Sequence, residues 1–404
     1  MQGQIDILNA DYRKLNADAA NTPGVFAPLV ADARVQFCLA TRSPNGNSTN
    51  GIDRRSTTVA QFNSATDDVK AAATGGVDAW NTAQYLNIWC CNVAPDPVYG
   101  VILGYGTFPG SVPSPGLDGV VINYISFGKG PHLAYPGQIH LGRTATHEVG
   151  HWLNLRHVWG NNLCGDDLIA DTPKQYGPNR NKPSFPRVSS CSGVNNAPNG
   201  DMFMSYMDYS DDDVLVMFSA GQAQRMQAVI APGGFRESLK NSPGLNPVIG
   251  FSSTAPATLL CGDQTDYNFR VTPVSVGCGG GSIQYQWTAT NGWTVTNPNG
   301  FSPQIIPNGT SGSTITLTGT YYNASGGVLP LNTVSATIGF SGQLSARPLF
   351  LYGGGGVTCP SVTETFGVAP VSGATGYRWT LPVGFTTPAG LLNAAGQIIT
   401  AGPD

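Results

Sequence analysis

The eleven residues from His147 to His157, HEVGHWLNLRH, hold three of the five histidines in a chain of 404 residues. His147 and His151 are four apart, so a helix points both the same way, one turn above the other, at about 100° per residue. Two imidazoles on one face can share a metal ion. Glu148 lies between them, too far round the helix to be a third ligand but well placed to hold the water that completes a zinc coordination sphere, which is the position of a general base. His157 cannot join from the same unbroken helix, because at about 1.5 Å per residue it would sit roughly 15 Å along the axis from His147. The helix must therefore stop. Asn154 is where it can stop, since Asn tolerates the left-handed conformation that ends helices better than any residue but Gly.

This spacing resembles the extended motif H-E-x-x-H-x-x-G-x-x-H of the metzincin zinc peptidases, with Asn154 in place of Gly. Two alternatives read less well. A purely structural zinc site fills its fourth position with protein and has no need of Glu148. A zinc peptidase that takes its third ligand from a downstream Glu finds none here between Glu148 and Glu237.

Composition narrows the setting. The length allows two or three domains with real cores. Only 11% of residues are charged and the formal net charge is −4. With no basic run to release counterions from phosphate, nucleic acid is not an expected partner. No apolar run reaches the eighteen residues or so that a membrane span needs, and a monomer is the expected state. Eight Cys and few Lys suit an oxidising, extracellular setting. The N-terminus, MQGQIDILNADYRK, has no export signal, so Met1 is read as the start of a processed form whose signal peptide and pro-segment have been removed.

Ahead of the histidines, residues 5–20 carry helical spacing at Ile5, Leu8, Tyr12 and Leu15. Val35–Ala40, Tyr85–Cys91, Val101–Thr107 and Gly119–Ser126 read as strands, and Thr66–Thr74 as a helix. Mixed strands and helices leading into the zinc stretch predict an α+β domain. Gly104 and Gly106 beside Tyr105 let another backbone approach, which suits a substrate held as an extra strand; an edge strand with glycine bulges is the plainer alternative. Leu215 and Val216 are read as an apolar wall for the residue after the scissile bond.

Between His157 and Gly200 the chain is long, irregular and rich in Pro and Asn, and such a passage needs pinning. Cys164 and Cys191 bracket it and are expected to pair. Asp166, Asp167 and Asp171 offer hard oxygen ligands to calcium, a solvated loop being the alternative. Cys38 is expected to pair with Cys90 or Cys91, or all three to be buried thiols. Farther on, Met207 with Tyr209 two places later resembles the metzincin Met-turn, where the Met floors the imidazoles and the Tyr reaches the developing oxyanion. Ser219 and Gln222 form a capping-box pair before a helix with an apolar stripe at Ala223, Met226, Val229 and Ile230.

HEVGHWLNLRH, the ADTP of Ala170–Pro173 and the SYMDYSDD of 205–212 together resemble the pappalysin family of metzincins, in its bacterial secreted branch, over roughly residues 1–240. The resemblance implies a twisted mixed sheet with helices and one zinc held by His147, His151 and His157. It also implies Glu148 as base, Met207 as the Met-turn and Tyr209 in support. Calcium in the segment matching Gly165–Thr172 and a pro-segment that blocks the zinc before removal are implied too, and protein or peptide substrates with them. Where relatives often carry Cys, Val214 stands here.

Beyond Ser242–Val248 the composition turns to Thr, Val, Gly and Asn, so residues 1–247 are assigned to the catalytic domain. Two stretches then repeat. Tyr285-Gln286-Trp287-Thr288 precedes Gly292-Trp293, and 92 positions later Tyr377-Arg378-Trp379-Thr380 precedes Gly384-Phe385. Short strands about a central Trp predict all-β sandwiches resembling immunoglobulin and polycystic-kidney-disease-like modules, at 248–344 and, cut short, at 345–404. The reading is a secreted zinc endopeptidase, soluble or attached at the cell surface. Its rival is a surface or matrix binding protein whose zinc domain has degenerated.

Overall fold

The computed structural model describes residues 1–130, 132–135, 137–191, 199–260, 263–272, 274, 276, 278, 280–324, 326–341, 376–380 and 397–401. These fall into two compact units. One joins Met1–Gly250 to Thr272–Gln284 and Thr318–Asn332; the other holds Phe251–Val271, Tyr285–Leu317 and the described residues from Thr333 on.

In the first unit, helix α1 (Gln2–Tyr12) buries Ile5, Leu8 and Tyr12, and with them Gln4 and Asp11. It is shorter than the periodicity of residues 5–20 suggests. Lys14 turns left-handed at φ 52°, and the Leu15 amide donates back to the Ala10 carbonyl at 2.7 Å, a wrap-up that ends a helix. Leu15 is left exposed. Val35–Ala40 makes no ladder either. The Asn9 side chain takes the partner strand's place, its Oδ1 accepting from the Phe37 amide at 2.7 Å and its Nδ2 donating to the Phe37 carbonyl at 2.9 Å. Residues 66–74, expected as a helix, form two 3-10 turns, Asp68–Lys70 and Ala72–Thr74. There Lys70 is buried beside Trp89 and Tyr105 and paired with Asp67.

Strands β1 (Ile88–Cys91), β2 (Gly104–Gly106) and β3 (Val120–Asn123) make a mixed sheet in the order β1-β3-β2, β1 parallel and β2 antiparallel to the central strand. All four residues of β3 are buried. Helix α2 (Arg143–Trp152) lies over this sheet with every one of its ten residues buried. The two glycines of β2 explain how it comes so close. A Cβ on Gly104 would meet the Glu148 Cγ at 2.9 Å, and one on Gly106 would run into the Glu148 carbonyl. Glycine here serves the packing of this chain's own helix, and β2 is the edge strand of the sheet. Helix α3 (Ala220–Ile230) opens on the Ser219/Gln222 capping box and buries Ala223, Met226 and Val229.

Cys164 and Cys191 are joined, Cα atoms 5.3 Å apart. Cys38 is joined to Cys278, with Cα atoms 5.7 Å apart and a sequence separation of 240, while Cys90 and Cys91 are free thiols. The expectation of a Cys38 bond to Cys90 or Cys91 is thus corrected: the partner comes from beyond residue 247. Cys261 and Cys359 lie outside the described residues.

The β region carries β4 (Phe251–Ser253), β5 (Thr258–Leu260), β6 (Tyr267–Val271), β7 (Ser282–Ala289), β8 (Thr294–Thr296), β9 (Gln304–Ile306), β10 (Ser313–Tyr322), β11 (Val328–Pro330) and β12 (Val334–Ser341). One sheet runs β4-β6-β9-β8; the other runs β11-β10-β12-β5, with β7 also on β10. Trp287 of β7 packs on Phe251 and Phe269 of the opposite sheet, ring centres 5.1 and 6.0 Å away, and its indole donates to the Gly300 carbonyl at 3.0 Å. That satisfies the one polar atom of a fully buried Trp. Of the second repeat, β13 (Gly376–Thr380) and β14 (Gln397–Ala401) form an antiparallel pair; Gly384-Phe385 lies outside the described residues.

Candidate active site

Helix α2 delivers His147, Glu148 and His151, and its end delivers His157. After Trp152 the chain turns at Asn154, whose φ of 72° is left-handed, and the Leu155 amide closes on the Gly150 carbonyl at 2.9 Å. The same turn carries the Leu155 carbonyl under His151, where Nδ1 donates to it at 2.7 Å. His147 Nδ1 donates to the Tyr206 carbonyl at 2.7 Å, and His157 Nδ1 to the Asn161 Oδ1 at 2.5 Å. A carbonyl oxygen only accepts, so each Nδ1 carries the proton and each Nε2 is left with its lone pair.

Those lone pairs converge. The three ligand atoms lie within 4.8 Å of one another, His151 Nε2 and His157 Nε2 being 3.1 Å apart. Tetrahedral zinc at about 2.0–2.1 Å from nitrogen would space its ligands by about 3.3 Å. Burial, helped by the neighbouring imidazoles, pulls His147 well below its ordinary value and His157 down to about 3; burial also takes His151 to about 4. All three are neutral at neutral pH, as ligation requires. Three neutral imidazoles with an open side fit a catalytic zinc, and among the described residues no other group of three His, Cys, Asp or Glu is so close.

Burial pushes the Glu148 carboxyl up to about 8, opposed by a hydrogen bond from the Gly106 backbone. A dication beside it would draw that value back down. Met207 is fully buried, its sulfur 2.5 Å from where a Cβ on Gly150 would stand. Gly150 is therefore the notch in α2 that admits the Met-turn. Tyr209 lies with its ring centre 5.5 Å from that of His147 and 4.9 Å from that of His157, its hydroxyl pushed up to about 12 chiefly by burial. A cleft of about 580 Å³ opens over these groups, lined among others by Tyr99, Leu103, Thr144 and Leu215. Leu215 is on its wall as expected. Val216 is not: it turns into a separate cluster with Phe26, Met202 and Met217.

Asp166, Asp167 and Asp171 do not come together. Asp166 is exposed beside Lys174, and Asp167 accepts from the Thr172 hydroxyl at 2.8 Å. Asp171 accepts from the Ser219 hydroxyl at 2.6 Å and the Gly221 amide at 2.8 Å, at the start of α3. In this structure each of the three meets protein donors of its own.

Several residues around the site were not singled out in the sequence. Asp11 accepts from the Thr146 and Tyr206 hydroxyls at 2.7 and 3.0 Å, tying α1 both to α2 and to the segment whose carbonyl orients His147. Asp208 accepts from the Asn179 and Tyr209 amides and from both the Gln175 and Asn179 side chains, bracing Tyr209 from behind. Trp159 stacks on His157, Asn161 fixes its tautomer, and Arg180 lies over the Tyr209 ring at 5.6 Å. Only the closeness of Trp159 and Asn161 to His157 in sequence could have drawn attention to them.

Comparison with known proteins agrees with this geometry. Residues 68–231 match a family model described as pregnancy-associated plasma protein-A, a peptidase family, and residues 350–395 match a PKD-like domain. An extracellular metalloprotease of Arthroderma benhamiae is 35% identical over 155 residues, 37% of this chain and 49% of that one. A second from the same organism is 34% identical over 236 residues, 56% of this chain and 68% of that one. The chain spans about half the length of the curated relatives it first matches. Among solved structures, mature mirolysin of Tannerella forsythia with a cleaved peptide is 47% identical at a TM-score of 0.55, covering 59% of this chain and 86% of that one. A promirolysin mutant is 46% identical at the same TM-score, covering 59% and 76%.

Proposed function

Because the chain belongs to the pregnancy-associated plasma protein-A family of metallopeptidases, we propose that it is a zinc-dependent endopeptidase acting on proteins or peptides. The observation that carries this is the convergence of three unprotonated Nε2 atoms within 4.8 Å, with the Glu148 carboxylate on the same helix and an open cleft above. His147, His151 and His157 would hold a zinc ion, which would supply a Lewis acid for the scissile carbonyl and the attacking water. Glu148 takes the proton of the attacking water and passes it to the leaving amine. The Tyr209 hydroxyl donates to the oxygen on which negative charge develops. Met207 holds the floor, and the Gly106 backbone aims the base.

Two disulfides suit an oxidising compartment, relatives carry the name extracellular metalloprotease, and no helix among the described residues is long and apolar enough to cross a membrane. The proposal therefore places the protein outside the cell. Mirolysin has a pro form, and a latency segment is proposed here by that likeness. Residues 1–247 are proposed as the main body of the catalytic domain, and the modules at 248–344 and 345–404 as contacts for large or surface-bound substrates, raising their effective concentration. For calcium in the Gly165–Thr172 segment, thermal melting with and without the ion decides. The function itself is tested by hydrolysis of casein or a short fluorogenic peptide, stopped by a chelator and restored by zinc. A zinc-loaded, folded protein that cuts neither would sink it.

A further inference from the structure

The three histidines are not held alike. His147 and His151 stand on a buried helix and donate to backbone carbonyls that cannot move without moving the fold. His157 stands past the helix end, and its Nδ1 donates to a side-chain amide, that of the exposed Asn161. What else fixes it is Trp159. The chain turns tightly after His157, the Gly160 amide reaching the His157 carbonyl at 2.8 Å, and lays the indole flat on the imidazole with ring centres 4.2 Å apart and planes within 4°. The indole is rooted in the main core with Leu155 and Val158. Its edge meets Tyr209 at 4.8 Å and 74°, and Tyr209 in turn meets His157 at 4.9 Å and 77°. One rigid ring thus touches both the least anchored ligand and the half-exposed tyrosine.

We propose that Trp159 is a positioning residue that couples the third zinc ligand to Tyr209, favouring the metal-loaded form of His157 and confining the tyrosine. The inference rests on the zinc reading above. Its physical ground is that an imidazole giving its Nε2 lone pair to a cation becomes electron-poor, and an electron-poor ring gains more from the face of an indole than a neutral one does. A leucine would fill the space with no such face.

The test uses the full chain with Trp159→Leu and Trp159→Phe. Zinc affinity, by competition with a chromogenic chelator, needs no turnover. Trp159→Leu should lose about 10- to 100-fold, the range typical of groups that orient a ligand, and Trp159→Phe should recover most of it. With zinc saturating, Trp159→Leu should lower kcat while KM stays within twofold. Tryptophan emission of the wild type should also change on zinc titration, and the change should be missing from Trp159→Phe. That measurement stands even if the leucine variant does not fold. Equal zinc affinity in the leucine variant and the wild type, equal loss in the two variants, or an emission change that survives in Trp159→Phe would each overturn the coupling. Failure of the wild type to cut any peptide would instead overturn the proposed function and leave the affinity result readable.

Discussion

Around α2 the core holds Asp11, Arg143, Thr146, Glu148 and Asp208 among its apolar side chains, while across residues 251–341 the described buried side chains are apolar or aromatic apart from Ser313. Strand β10 buries every second residue along its whole length; α2 buries all ten of its own. A sheet region that only has to fold can follow a period of two. A region that does chemistry must bury groups whose desolvation costs several kcal/mol each unless partners are supplied, and those partners come from far along the chain. Damage to the first region should therefore reach function before stability, and damage to the second the reverse.

The sharpest contrast pairs Glu148→Ala with Trp287→Ala. The first should cut turnover by at least about 10² to 10⁴, as for a lost general base, with zinc content and melting unchanged. The second should cost the β region about 3–5 kcal/mol and leave cleavage of a short peptide within twofold. If both variants lose stability and activity together, the two regions are not separable in this way. Next comes Gly106→Ala. Its methyl would press on the Glu148 carbonyl, and a shift of the base by a fraction of an ångström can lower kcat/KM by up to about 10²-fold. Full activity in this variant would mean that α2 does not depend on the bare backbone of β2.

Smaller effects follow at Asn154. Valine there must adopt a φ of 72°, a strain of about 1–3 kcal/mol, and should release zinc more readily, whereas Asn154→Gly should behave like wild type. Zinc affinity of the two variants, compared directly, decides. The mildest prediction concerns pH. Burial raises the Asp11 carboxyl from its ordinary 3.8 to about 6, so between those values the folded protein holds a proton that the unfolded chain has released. Stability from this group is therefore present at low pH and lost as pH rises through that window. Asparagine has no such titration. The lead of wild type over Asp11→Asn in melting temperature should narrow from about pH 4 to about pH 7; a lead that widens would reverse the assignment.

How much could be read from sequence follows the same division. His147, Glu148, His151 and His157 were legible because helix period, ligand chemistry and the tolerance of Asn154 all bear on eleven consecutive residues. Cys164 with Cys191 was legible because an irregular passage needs a tie. The central Trp287 was legible from strand alternation. What stayed hidden depends on contacts over long separations. Cys38 meets Cys278 across 240 residues, and segments 272–284 and 318–332 belong to the first compact unit, which no shift in composition near 247 foretells. The Asn9 side chain stands in for a strand partner of Phe37, and local propensity says nothing of that. Asp171 meets Ser219 and Gly221 some fifty residues on, contacts that its own neighbourhood does not announce.

The burial of Met207 has a bearing on chemical ageing. Of the six methionines, Met1 is exposed, while Met202, Met204, Met207, Met217 and Met226 are all at or below 2% accessibility. A thioether becomes bulkier and strongly polar when oxidised to the sulfoxide, and the sulfur of Met207 has no room for another oxygen where it lies against Gly150. Peroxide can therefore reach it only when the domain opens. In an oxidising medium, sulfoxide at Met1 would simply count exposure time, while sulfoxide at Met207 would count opening events, and the ratio of the two would act as a molecular record of how often the catalytic domain has come apart.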